Sequence, residues 1–210
     1  MNETDDQLKA LSEMRDLMNR SSRFLSLSGL SGICAGVFAL IGAGLAWQHL
    51  YARSGDVYDD RYISNFDATH FYTFFFVDAG SVLLLSLIAG WYFSKRRANK
   101  AGVPFFDATA LRMLVNLFIP LATGGFFCLA LLYHGHIFMI APATLIFYGL
   151  ALLNASKYTV NDIRYLGICQ IILGLAATVF VFHGLIFWAL GFGVMHIIYG
   201  IVLYYKYERA

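Results

Sequence analysis

The sequence predicts an all-α integral membrane protein: six transmembrane helices arranged as three hairpins, with both termini cytoplasmic. Three observations predict it. First, 59% of the 210 residues are hydrophobic and 13% charged, against about 45–50% and about 25% in soluble globular chains. Second, the charges are segregated. Residues 24–52, 113–156 and 165–205 hold no Asp, Glu, Lys or Arg, and residues 68–94 hold only Asp78. Third, Lys and Arg fall on alternate connections, which orients the chain by the rule that positive residues stay cytoplasmic.

The elements follow in order. Residues 1–23 form a polar cytoplasmic segment. Within it, residues 4–20 read as an amphipathic helix with Leu8, Leu11, Met14 and Met18 on one face, suited to lying on the membrane surface or docking a cytoplasmic protein partner. The first span follows as an uncleaved signal anchor, because it is longer than the apolar core of a signal peptide. A span needs about 20 apolar residues, so the charge-free runs of 44 and 41 residues each hold two. The expected spans within residues 24–210 are 26–49, 70–93, 111–133, 136–153, 163–183 and 186–205.

Thirteen of the 15 Lys and Arg residues lie on one side: Lys9, Arg15, Arg20 and Arg23; Lys95, Arg96, Arg97, Lys100 and Arg112; Lys157 and Arg164; Lys206 and Arg209. Arg53 and Arg61, in the 51–69 loop, are the two on the other. The remaining outer connections are tight turns at His134-Gly135-His136 and His183-Gly184, where Gly supplies backbone freedom. Asp67, Asp107 and Asp162 stand before spans 2, 3 and 5 as N-caps. Pro120 and Pro142 fall within spans 3 and 4 and invite kinks.

The hairpins resemble one another. Tyr133-His134-Gly135-x-Ile137-Phe138 matches Phe182-His183-Gly184-x-Ile186-Phe187, and Lys157-Tyr158 matches Lys206-Tyr207, both at an offset of 49. Tyr148-Gly149 matches Tyr199-Gly200 with a slip of two. Gly32 and Gly36 in span 1, Gly167 and Gly174 in span 5, and Gly193 and Gly200 in span 6 are read as internal packing seams, with homo-oligomerisation as the alternative.

Gly167-Ile168-x5-Gly174-Leu175, followed by Trp188-x2-Gly191-x8-Gly200-Ile201, resembles the hairpins of the HdeD-type acid-resistance membrane proteins. The likeness covers mainly residues 163–205. The chain departs from that pattern at His183-Gly184, where a Pro is expected, and in its long N-terminal segment. The resemblance implies a small six-span bacterial protein of the plasma (inner) membrane, non-enzymatic and stress-linked. It transfers no site residues.

Two constellations could carry chemistry. Five of the six histidines, His49, His70, His134, His136 and His183, fall at the outer ends of spans. Neutral imidazole is a common metal ligand, so converging rings could hold zinc or another transition metal. Asp78 is the lone formal charge inside a span. At about 1.5 Å rise per residue it lies about 12 Å deep and His196 about 15 Å deep from the same side. They could pair as a proton- or ligand-binding site, with His70 on the approach to Asp78. Gln170 and Asn116 suggest interhelical hydrogen bonds. The three cysteines, Cys34, Cys128 and Cys169, read as small packing residues. A net charge of +2 and the absence of a nucleic-acid motif exclude a nucleic-acid partner. Ser31 with His196, and Asp78 with His196, lack the depth match or the His-x3-His pair that intramembrane proteases and zinc hydrolases require.

These readings converge on a non-enzymatic, stress-associated or regulatory membrane protein with a polar outward-facing cavity. The alternatives are a small transporter or channel using Asp78 and His196, and a metal-dependent membrane enzyme using the outer histidines.

Overall fold

The computed structural model describes residues 27–52 and 68–209, without the side chains of 51–52 and 68–71. The amphipathic segment at 4–20, the 53–67 part of the outer loop, the Asp67 cap and the side chain of His70 therefore lie outside the described residues. The described chain is helical throughout, with no strand among its residues. The helices are α1 (Gly29–Ala52), α2 (Ala68–Ala101), α3 (Ala108–Tyr133), α4 (Ile140–Ala155) and α5 (Asp162–Val179). A last helical stretch runs from α6 (Gly184–Trp188) through a π turn (Ala189–Met195) into α7 (His196–Tyr207). Six stretches are long and apolar enough to cross a membrane, the last being Val181–Tyr207.

Local chemistry explains most boundaries. Asp107 caps α3, its Oδ1 accepting from the Ala110 N–H at 2.6 Å, as expected of a carboxylate before a helix. Two glycines at positive φ close helices: Gly102 (φ 67°) after α2 and Gly135 (φ 77°) after α3. In both, the following N–H reaches back five residues, Val103 to the Ala98 carbonyl at 3.1 Å and His136 to that of Leu131 at 2.8 Å. This double-bonded closure favours glycine at the left-handed position. α2 runs 34 residues, about 51 Å at 1.5 Å per residue. It therefore continues two turns past the expected end at 93, through the cations up to Lys100.

Three sequence expectations are corrected. Gly184 does not make a turn: its φ is −52°, within the helix, and it is buried. The reversal is made instead by Phe180 and the 3-10 turn Val181–His183. Asp162 does not cap α5. Asn161 holds the cap position without a side-chain capping bond, and the Asp162 carboxylate accepts from Lys206 Nζ at 3.0 Å and from the Tyr207 hydroxyl at 2.7 Å. Pro142 lies in the first turn of α4, where a missing N–H costs nothing. Pro120 does stand inside α3 and removes the donor that would meet the Asn116 carbonyl. Asn154 Nδ2 of α4 supplies it at 2.9 Å.

The starts of α1, α3 and α5 meet the ends of α2, α4 and α7 at one end of the bundle. Arg97, near the end of α2, ties three elements there. Its guanidinium donates to the carbonyls of Leu27 and, at 3.0 Å, Tyr207, and lies 3.6 Å from Glu208. Glu208 in turn accepts from the Gly29 N–H and, at 3.2 Å, the Ser28 hydroxyl. A carboxylate there meets the positive end of the α1 dipole.

Side by side, α3 packs on α4, α4 on α5, and α1 on α7, the π turn and α2. The close seams are glycine on backbone. A methyl group added at Gly149 would stand 2.6 Å from the Gly167 carbonyl oxygen and 3.0 Å from the Ile171 nitrogen. One at Gly36 would stand 2.6 Å from the Gly193 oxygen and 3.0 Å from the Ile197 nitrogen. One at Gly200 would stand 2.7 Å from the Gly29 oxygen and 2.6 Å from the Ile33 nitrogen. Each seam sets a glycine against a Gly-x3-Ile stretch of the neighbouring helix. Gly32, Gly36, Gly167, Gly174, Gly193 and Gly200, expected as internal packing seams, each face a neighbouring helix closely, and Gly149 joins them. α2 is the exception in the bundle: it packs along α1 and makes no comparable contact with α3.

Candidate functional site

The π turn places His196 at the start of α7 with 8% of its surface exposed. Its Nδ1 lies 3.0 Å from the Gly191 carbonyl oxygen. A carbonyl only accepts, so Nδ1 carries the hydrogen and Nε2 is left as an acceptor. Tyr148 of α4 donates to Nε2 at 2.8 Å. Gln170 of α5, fully buried, donates its Nε2 to the same Gly191 carbonyl at 2.8 Å. Two side chains from different helices thus converge on one backbone oxygen inside a wide helical turn, a feature that recurs at functional sites. Gln170 Oε1 is buried without a hydrogen-bond partner among the described residues. Phe192 stacks on His196 with ring centroids 5.9 Å apart, and Trp188 lies 5.0 Å from Phe192.

His196 and Tyr148 stand on the wall of a cavity of about 600 Å³. Its other walls are largely apolar, with Leu117, Leu121 and Phe147 on one side and Ala39, Val82 and Leu87 on the other. It extends to Leu27, Ala155 and Leu203 at the Lys/Arg-rich end. A second cavity of about 250 Å³ lies between α1 and α6, lined by Leu40, Trp47, Leu185 and Leu190 among others. Neither is the polar cavity at the opposite end that the sequence suggests.

Asp78 and His196 are not brought together. The Asp78 carboxylate faces α1 at Gly42, where an added methyl group would come within 3.3 Å of Oδ2. The Gly32 backbone lies beside His196 instead. Ten residues of α1 separate the two places, about 15 Å along the axis. The expected match in depth is therefore not met, and α1 packs between α2 and α7. Asp78 has no hydrogen-bond or ion-pair partner among the described residues.

The outer histidines with described side chains, His49, His134, His136 and His183, form no group of three either. His49 stacks on Phe74 at 3.9 Å, nearly parallel. His134 ends α3, His136 precedes the turn Ile137–Met139, and His183 ends a 3-10 turn, all three exposed. Among the described residues no three His, Cys, Asp or Glu side chains are grouped to hold a metal ion. The three cysteines are free thiols. The Ser31 hydroxyl bonds the carbonyl of Ser28, just before α1, at 2.5 Å, not His196.

Gln170 bonds between helices as expected, whereas the Asn116 side chain donates to its own helix at Arg112, 2.8 Å away. Sequence reasoning missed Tyr148 as the partner of His196. The signal available was the repeat itself, in which Tyr148-Gly149 marks the face where α4 meets a neighbour. The chain matches no protein-family model, no curated protein and no solved structure.

Proposed function

We propose that this chain is a multi-pass protein of the bacterial plasma membrane, non-enzymatic and regulatory or stress-associated, that takes up an apolar, membrane-soluble ligand between its helices. Both termini face the cytoplasm, and the six spans form three hairpin repeats of the kind found in HdeD-type proteins. The observation that carries the reading is the cavity of about 600 Å³ whose apolar wall is interrupted by His196 and Tyr148. Pockets for small molecules combine an apolar lining with a few placed polar groups. In a bilayer such a cavity fills from the lipid phase.

The His196–Tyr148–Gln170 cluster would sense occupancy. Tyr148 is shared between the cavity wall and the imidazole, so a ligand that moves its ring alters the bond to Nε2. Asp78 lies apart from this cavity and has no part in the reading.

A photoactivatable diazirine fatty acid, added to the full chain in detergent, tests it. Crosslinks should fall on Phe147, Leu117 or Trp188 and be lost in Gly125→Phe. Gly125 lines the cavity, and a side chain there meets no atom within 4 Å. Crosslinks spread evenly over the outer faces of the helices, and unchanged in that variant, would overturn the reading.

A further inference from the structure

The repeated glycine seams expose one that is missing. α5 closes on α4 at Gly149, and α1 closes on α7 and the π turn at Gly200 and Gly36. The corresponding pair in the first and second hairpins, α2 with α3, does not close. Gly90 of α2 occupies the return-helix position that Gly149 and Gly200 hold, yet nothing lies within 4 Å of a methyl group placed on it. The same is true of Gly125 on α3. Met113 and Leu117 of α3 line the same cavity as Gly90, but they pack toward α4 at Ala155 and Leu152. The unclosed seam is one side of the cavity, and it opens laterally.

Its length and its charge identify an occupant. Along α2 the lining runs from Ala79 to Gly90, eleven steps or about 16 Å. One leaflet of hydrocarbon is about 15 Å thick, half of a core of about 30 Å. The groove therefore begins at the Lys/Arg-rich end and reaches one leaflet deep. At that end Lys95, Arg96 and Lys100 of α2 and Arg112 of α3 flank the connection between the two helices. None of the four has a carboxylate partner among the described residues. Val103 and Phe106, in the connection itself, are exposed at 46% and 67%, as suits a loop at headgroup level. Basic pockets between helices on the cytoplasmic side are suited to anionic headgroups.

We propose that the α2–α3 seam is a binding site for an anionic phospholipid of the cytoplasmic leaflet, one acyl chain lying in the groove and the headgroup on Arg96, Lys100 and Arg112. The proposal rests on the reading of the cavity as a ligand site and names the ligand class. The chain lies against Gly90 and Gly125, in the cavity that Tyr148 and His196 also line.

The test is native mass spectrometry of the delipidated full chain with phosphatidylglycerol or phosphatidylcholine of identical acyl chains. Phosphatidylglycerol should bind about tenfold or more tightly, and the preference should vanish in Arg96→Gln/Lys100→Gln/Arg112→Gln. Gly125→Phe and Gly90→Phe should each lose both lipids. Gly80→Phe, equally open but off the groove, should lose neither. Equal binding of the two lipids that Gly125→Phe still abolishes would overturn the headgroup assignment and leave the apolar-ligand reading standing. Binding indifferent to both groove variants would overturn both. A dimer that Gly125→Phe dissolves, with no retained lipid, would assign the seam to a second copy and overturn the proposal.

Discussion

The imidazole of His196 is held from both sides: Nδ1–H to the Gly191 carbonyl and Nε2 to the Tyr148 hydroxyl. With a single hydrogen on the ring, that arrangement selects one tautomer and one orientation. Tyr148→Phe removes the donor to Nε2 and keeps the ring. Interhelical bonds in membranes contribute about 0.6 kcal/mol on average, up to about 1.7. The variant should lose stability in that range, measured by unfolding in sodium dodecyl sulfate; no loss would place the Tyr148 bond outside the native balance. His196 was legible in the sequence as a polar residue in an apolar run. Its partner was not: Tyr148 is one of 13 tyrosines, and only the packing of α4 against the π turn singles it out. The Asp78 pairing misled twice: the two residues lie at different levels of α1, beside Gly42 and Gly32, and α1 packs between their helices.

Glycines decide how the elements approach. Those at positions 29, 32, 36, 149, 167, 174, 193 and 200 face another helix at backbone distance, whereas Gly80, Gly90 and Gly125 face open space. Composition alone does not separate the two groups. Gly200→Leu should collide with the backbone at Gly29 and Ile33, where no flexible side chain can yield. Overpacking of a tight core costs about 1–3 kcal/mol, and contact with backbone belongs at or above the upper end. Gly90→Leu should be neutral in stability. Thermal unfolding of the two variants in one detergent checks the contrast, and equal melting temperatures would contradict the seam geometry. The helices themselves were legible, because their apolar runs are long and their caps and closing glycines are local. The π turn was not, since Ala-Leu-Gly-Phe-Gly-Val-Met reads as ordinary helix. It appears where Gly191 and Gly193 press against Gln170, Leu145 and Leu40.

At the scale of the molecule, one end collects the cations and the ties between helices. Arg97 and Glu208 join α1, α2 and the end of α7, and Lys206 joins α7 to Asp162 of α5. Four cations on and beside the α2–α3 connection are left over from these pairs. The orientation proposed for the chain puts this end in the cytoplasm. Single cysteines at residue 210 and in the 53–67 loop, labelled by an impermeant maleimide on intact cells, check it: the loop should label and the C-terminus should not. The reverse pattern would invert the bundle and move the lipid site to the other leaflet.

The sequence by itself determined that the chain forms six apolar helices, where most of them begin and end, and which end gathers the positive charge. These follow from hydropathy over about 20 residues and from bonds made within one turn, both local properties of the chain. Only the tertiary structure decided which helices touch, that His196 is joined to Tyr148 and Gln170 rather than to Asp78, and that the seam between α2 and α3 stays open. Adjacency in a helical bundle depends on side-chain shape matched between segments distant in sequence, and the residues that carry it, glycine and small aliphatics, look the same whether they meet a neighbour or not.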